Sequence, residues 1–78
     1  MTNLNRAVAA VLAKITERDS LYERTYEQIP LADLIAVARL KTYRATTMLQ
    51  KQNNDKLLDD LVDAAAYLLF AISKLQGD

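Results

Sequence analysis

The sequence predicts an all-α fold, and three observations lead to that class. One glycine and one proline in 78 residues leave almost nothing that interrupts a helix. Alanine and leucine dominate the apolar positions, and both residues favour helix. The apolar residues recur every three or four positions, which places them on one side of a helix. We therefore expect a single domain over residues 1 to 78, with a short N-terminal helix followed by a long antiparallel helical hairpin.

The first predicted helix runs from about residue 3, with Asn3 as its cap, to about residue 18. Its apolar residues at helical spacing are Leu4, Val8, Val11, Leu12 and Ile15. This period is lost over residues 19 to 29, where Asp19 and Ser20 favour a turn. We predict a loop there, or a loop that contains one short turn.

The hairpin is predicted from Pro30, because proline is favoured at the first position of a helix. The second helix should cover about residues 30 to 52 and the third about residues 55 to 76. Asn53 and Asn54 supply a tight connection, and a link this short favours antiparallel neighbours. The predicted inner stripe of the second helix consists of Leu31, Leu34, Ile35, Ala38, Ala45, Met48 and Leu49.

Self-association is expected from the size of the chain and from one apolar segment. A chain of 78 residues buries only about 60% of its unfolded surface, so its own core is marginal. It has no cysteine for disulfides, and without cysteine or histidine the commonest zinc ligands are missing. Residues 64 to 72, AAAYLLFAI, are apolar around the whole helix, so one face should meet another chain. We predict a dimer or a higher assembly such as a hexamer; the alternative is a helix enclosed by the first helix.

Charge and hydropathy exclude several functions. Ten basic and ten acidic residues give no net charge, which argues against general DNA binding through the phosphate backbone. No run reaches the roughly 18 apolar residues of a membrane span, and the N-terminal segment lacks the apolar core of a signal peptide. The expectation is a soluble, intracellular protein.

The charges of the predicted hairpin are segregated. Residues 31 to 52 contain four basic residues against Asp33, and residues 53 to 66 contain four aspartates against Lys56. One interpretation is ionic pairing between the helices, within one chain or between subunits. The other is a magnesium site formed by Asp59, Asp60 and Asp63.

The segment DKLLDDLVDAAAYLLFA, which contains these aspartates, resembles the last helix of the all-α nucleotide pyrophosphatases of the MazG and dUTPase type. That resemblance implies magnesium-dependent hydrolysis of a nucleotide. In those enzymes glutamates on the preceding helix complete the site, whereas here that helix contains only Asp33. Half of the acidic site is missing, so the pyrophosphatase is the alternative and a protein without catalytic residues or a cofactor is preferred.

A second candidate site lies on the second helix. Lys41 and Arg44 are three residues apart and therefore neighbours on one helix face, with Thr42 and Tyr43 nearby. Together these four residues offer charge for a phosphate, a hydroxyl for hydrogen bonds and a ring for a base. Tyr22 and Tyr26, from the loop before the helix, are placed to close over such a ligand. The alternative is that Tyr43 packs in a dimer interface and Lys41 only extends to solvent.

A pattern around this cluster resembles the hairpin domain of the phage anti-CBASS and anti-Thoeris sponges, which sequester cyclic-oligonucleotide signals of the host. It consists of Tyr26, Ile29, Asp33, Leu34, Leu40 and Lys41. The resemblance implies that Tyr26 stacks on a base and that Lys41 reaches the phosphate or the base edge. The ligand would be a cyclic di- or oligonucleotide such as cyclic GMP-AMP, held uncleaved between subunits in the cytoplasm of a bacterial host cell.

This sequence departs from the sponge pattern at two positions near the site. Thr25 stands where the family has a glycine, and Tyr43 stands where it has a threonine, with Thr42 adjacent. No arginine follows Arg44, so a second site for cyclic trinucleotides is not assigned. A bundle that only binds a partner protein is the remaining alternative.

Overall fold

The computed structural model describes the backbone of residues 2 to 22 and 25 to 77, and the side chains of residues 3 to 17 and 27 to 77. The described residues form three α-helices, α1 (Thr2–Tyr22), α2 (Leu31–Gln50) and α3 (Asn54–Leu75), and no strand. The all-α class is therefore confirmed. None of the described helices is long and apolar enough to cross a membrane.

The segment before α2 is more helical than predicted. α1 continues to Tyr22, and Thr25–Gln28 form one turn of 3₁₀ helix. The predicted loop was wrong for residues 19 to 22, which belong to α1, whereas the short turn that the prediction allowed is present as Thr25–Gln28. α1 continues because Asp19 and Ser20 reduce helix stability by well under about 1 kcal/mol each, and no glycine or proline precedes Pro30. Tyr22 is thus the last residue of α1 and not a loop residue.

Backbone hydrogen bonds define the start of α2. Pro30 immediately precedes the helix in an extended conformation, with ψ of 147°. Its carbonyl accepts hydrogen bonds from the N–H groups of Asp33 at 3.0 Å and Leu34 at 3.1 Å. Proline suits this position because no partner is needed for the N–H that it lacks. The negative charge of Asp33 lies in the first turn, where the helix dipole favours it.

The connection between α2 and α3 is short. Gln52 has a positive φ of 57°, which reverses the chain after α2. Asn53 caps α3, because its side-chain oxygen accepts a hydrogen bond from the Lys56 N–H at 3.3 Å. Asp55 lies in the first turn of α3. The two helices that this link joins pack closely against each other.

The core lies where the start of α2 meets the last turns of α3. Leu34, Phe70 and Ala71 form its centre. Four partly buried residues pack around them: Ile15, Ile29, Leu31 and Tyr67. The Tyr67 and Phe70 rings meet edge to face, with centroids 5.9 Å apart. Further along the two helices the buried apolar residues are alanines, which let the backbones approach: Ala38, Ala45, Ala64 and Ala66.

Two residues of the predicted inner stripe are not in the core. Ile35 is 43% exposed and Leu49 is 61% exposed, whereas Leu34, Ala38 and Ala45 are buried as predicted. The predicted stripe is wide enough to contact two helices. α2 packs along α3, and α1 packs on α3, so one edge of the stripe is left to solvent.

Candidate functional site

Two ion pairs connect α2 to α3. The Arg44 Nη2 atom donates to Asp60 Oδ1 at 2.6 Å, and Arg44 Nε lies 3.0 Å from both Asp60 oxygens. One turn away, Lys41 Nζ lies 3.3 Å from Asp63 Oδ2. The interpretation of the charge segregation as ionic pairing within the chain is confirmed for these two aspartates.

The acidic partner of each pair is buried and the basic partner reaches the surface. Asp60 is fully buried, while the Arg44 side chain is 52% exposed. The Asp63 side chain is 10% exposed, and that of Lys41 is 23% exposed. The aspartates therefore anchor the two cations from inside the helix pair, while part of each basic side chain stays accessible to solvent.

The Arg44 hydrogen bonds determine the ionisation of both groups. They lower the pKa of Asp60 below its ordinary value of 3.8, although burial acts in the opposite direction. The same hydrogen bonds raise the pKa of Arg44. Both groups are charged at neutral pH. The Arg44 guanidinium is thus a fixed cation whose Nη1 has no hydrogen-bond partner among the described residues.

Tyr43 and Leu40 are large exposed side chains of α2 near Arg44 in the sequence. Tyr43 is 76% exposed and Leu40 is 65% exposed. Leu40 precedes Arg44 by four residues and Tyr43 by three, so it is a neighbour of both on the helix surface, whereas Tyr43 itself points about 100° away from Arg44. The three side chains therefore form an exposed strip that runs part of the way around α2 from the ring through Leu40 to the guanidinium, which we call the Tyr43–Arg44 patch.

The five predicted ligand residues are not all brought together. Lys41 and Arg44 share the side of α2 that faces α3. Thr42 is exposed, and its hydroxyl donates to the Arg39 carbonyl of its own helix at 2.9 Å. Residues that are adjacent in a helix point about 100° apart, so Thr42 and Tyr43 occupy other sides. The Tyr26 backbone belongs to the 3₁₀ turn, and its side chain lies outside the described residues, as does that of Tyr22.

The acidic residues of α3 are divided between two roles. Asp60 and Asp63 face cations of α2, and Asp59 is exposed. Within the described part of the chain, no three histidine, cysteine, aspartate or glutamate side chains are grouped so that they could hold a metal ion. The three aspartates that suggested a magnesium site do not converge in this arrangement.

The individual partners of the two cations were missed from the sequence, although a signal was present. Lys41 and Asp63 lie equally far along the chain from Gln52, and so do Arg44 and Asp60. In two helices joined by a short link, residues equidistant from the link are opposite each other. This symmetry, together with the spacing of three between the cations on α2 and between the aspartates on α3, identifies the partners.

Comparison of the chain with protein-family models, curated proteins and solved structures gives no match.

Proposed function

We propose that this protein is a non-catalytic binding protein that sequesters cyclic di- or oligonucleotides, such as cyclic GMP-AMP, and leaves them intact. One observation supports this proposal above the others: a half-exposed guanidinium is held in place by a buried carboxylate, and an exposed tyrosine ring lies on the adjoining side of the same helix. Arginine forks onto phosphate oxygens, and a tyrosine face stacks on a base. The Tyr43–Arg44 patch offers both contacts without any catalytic group.

The local charge balance is compatible with this ligand. Within each ion pair the aspartate neutralises the charge of its cation, so the surface has no strong positive field that would attract long nucleic acids. Binding would depend on directed hydrogen bonds from Arg44 and Lys41 and on stacking. A small cyclic ligand satisfies such a site with one or two phosphates, whereas DNA binding gains most of its affinity from many phosphate contacts.

The rest of the proposed site comes from the sponge resemblance. Tyr26, in the 3₁₀ turn before α2, would stack on a base, and Lys41 would reach a phosphate while it keeps its contact with Asp63. The helical hairpin of one subunit would face that of another, so that the ligand is enclosed between them in a homo-oligomer.

Calorimetric titration with cyclic GMP-AMP tests the proposal, and exposed α2 residues give matched variants. Tyr43→Ala should weaken binding about tenfold, because a stacked base contributes roughly 1 to 3 kcal/mol. Tyr43→Phe keeps the ring and should bind as the wild type does. Leu49→Ala truncates a comparably exposed side chain of the same helix and should have no effect. Equal binding by Tyr43→Ala and wild type would remove Tyr43 from the site.

Lys41 needs a compensated variant, because Lys41→Ala also takes a cation away from the buried Asp63. The double variant Lys41→Ala/Asp63→Asn removes both charges. If Lys41 contacts the ligand, both variants should lose more than tenfold in affinity at unchanged helicity. Wild-type binding by either variant would contradict the transfer of this contact from the sponge family.

The fate of the nucleotide separates the alternatives. Intact cyclic GMP-AMP recovered after denaturation of the complex supports sequestration, whereas a linearised or dephosphorylated product supports the magnesium-dependent pyrophosphatase. No binding to a panel of cyclic nucleotides would leave the protein-interaction bundle, which the many exposed apolar side chains of α1 and α3 favour as second candidate.

A further inference from the structure

A row of exposed apolar residues runs along almost the whole of α3. Five of its members are large and between 45% and 73% exposed: Leu58, Leu61, Leu68, Ile72 and Leu75. Ala65, which is partly exposed, completes the row. The successive intervals are three, four, three, four and three residues, which is the heptad spacing of a and d positions in a coiled coil. We call this row the α3 seam.

The α3 seam lies almost opposite the side of α3 that packs on α2. Residues advance by about 100° around a helix, so the seam is turned away from Asp60, Asp63 and Phe70, which are buried. The seam is therefore separate from the core and is not the border of the α2–α3 contact. A helix with a second apolar face of this regularity needs a second partner to remove that face from water.

α1 borders the α3 seam but does not cover it. Val8 and Leu12 of α1 are about half exposed. With Val11 they face Ala65, Leu68 and Leu69 of α3 across an apolar groove of about 360 Å³. Ala65, the smallest side chain of the seam, is part of the groove lining. A large side chain inserted beside it would fill this space.

We propose that the α3 seam binds the α3 seam of a second copy of this chain, with the two helices antiparallel. A two-fold axis between Ala65 and Leu68 makes the rows match without a gap. Leu58 then lies opposite Leu75 of the second copy, and Leu61 lies opposite its Ile72. Ala65 lies opposite Leu68 of the second copy, so that the large side chain enters the groove beside the small one.

Charge favours a second copy in this orientation. No charged side chain interrupts the seam between Leu61 and Ile72, and Asp63 in that interval faces Lys41. The exposed Asp55 and Asp59 lie at the start of α3, and Lys74 lies in its last turn. An antiparallel pair brings the acidic start of each helix near the basic end of the other and opposes the helix dipoles. A parallel pair would bring the aspartates of both chains together.

Disulfide trapping tests the orientation directly, because the chain has no native cysteine. Leu61→Cys and Ile72→Cys chains, refolded together and oxidised, should give a disulfide-linked dimer that contains one of each. Each variant alone should give none, because equivalent Leu61 residues lie about 16 Å apart along an antiparallel pair and a disulfide spans Cα atoms only about 4.4 to 6.8 Å apart. Efficient self-linking of Leu61→Cys alone would overturn the antiparallel seam.

Light scattering coupled to size exclusion tests the surface. Wild-type protein should have the mass of a dimer or a multiple of it, and Leu68→Glu should halve that mass. Leu49→Glu places the same charge on a comparably exposed residue of α2 and should leave the mass unchanged. Wild-type protein that stays at 8.8 kDa at 100 µM, or loss of assembly only in Leu49→Glu, would overturn the proposal.

This inference deepens the self-association in the proposed function and does not rest on the identity of the ligand. Titration of the disulfide-linked dimer with cyclic GMP-AMP distinguishes failure of the proposed dimer from failure of the proposed ligand. A trapped dimer that binds no cyclic nucleotide supports the seam and contradicts the proposed ligand. Tight cyclic GMP-AMP binding by the wild-type protein, together with failure of the Leu61→Cys and Ile72→Cys chains to form a mixed disulfide, supports the ligand and overturns the seam.

Discussion

Removal of either partner of the Arg44–Asp60 pair should destabilise the protein unequally, because the two groups differ in burial. Asp60 is fully buried, whereas half of the Arg44 side chain is exposed. Arg44→Met leaves a carboxylate inside the helix pair without its main cation. Asp60→Asn leaves a guanidinium that water already reaches. We expect Arg44→Met to be the more destabilising change.

The magnitude follows from the surroundings of the carboxylate. The pair is only partly buried, since half of the Arg44 side chain is exposed, so the loss should be smaller than that of a fully buried pair. Loss of the hydrogen bonds to the Asp60 carboxylate should cost about 1.5 to 3 kcal/mol, and the charges of Lys41 and Lys56, which also act on Asp60, favour the lower half of that range. For a domain of this size a loss of about 2 kcal/mol lowers the melting temperature by roughly 8 to 16 °C. The double variant Arg44→Met/Asp60→Leu has no buried charge and should recover most of the loss.

Thermal unfolding followed by circular dichroism measures these changes, and pH tests their cause. In the wild type Asp60 has a lowered pKa, so its contribution to stability is present above pH 3.8 and is lost as the pH falls through the folded-state pKa. Without Arg44, burial should raise that pKa above the unfolded value. Arg44→Met should therefore gain stability relative to the wild type as the pH falls from 7 towards 3.8. Equal losses in Arg44→Met and Asp60→Asn, with no gain on acidification, would refute the reasoning.

Three further substitutions test the fold. Leu34→Ala should lower the free energy of unfolding by about 2 to 5 kcal/mol in urea titrations, because Leu34 is fully buried at the centre of the core. Asn53→Ala removes the cap of α3 and should cost about 1 kcal/mol in the same assay, with Asn54→Ala as the uncapped neighbour for comparison. Gln52→Gly should raise stability by up to about 1 kcal/mol, since glycine adopts the positive φ of 57° without strain, and a loss would contradict the left-handed turn.

The sequence was sufficient for the elements in which local signals agree. The apolar period, Pro30 and the Asn53–Asn54 connection all indicate the same helices, and the structure has helices there. The apolar period did not predict burial correctly at positions where burial depends on which helices contact each other. Ile35 and Leu49 fit the stripe of α2, yet they are exposed because α1 packs on α3. A helical period identifies the apolar side of a helix, but it does not show how much of that side a neighbouring helix covers.

The candidate site shows the same limit in its electrostatics. The sequence indicates that Lys41 and Arg44 are neighbours, and the spacing of three places them together on α2. The symmetry about Gln52 indicates which aspartate lies opposite each cation, but it does not indicate that the two aspartates are buried, because their burial depends on how closely α2 packs on α3. The buried partners change the expected chemistry: the two residues are anchored hydrogen-bond donors and not free positive charges.

The ion pairs and the α3 seam together explain how a small chain uses the two faces of one helix. On the α2 side, alanines permit close packing, and these give little specificity of register. A shift of α2 by one turn along α3 would leave Asp60 buried without Arg44. The ion pairs therefore disfavour other registers of the two helices, even where their net contribution to stability is small. On the other side the seam contains no such polar residue, and in the proposed dimer the match of Ala65 with Leu68 of the second copy would determine its register. The first face should therefore determine how the chain folds, and the second should determine how two copies of it associate.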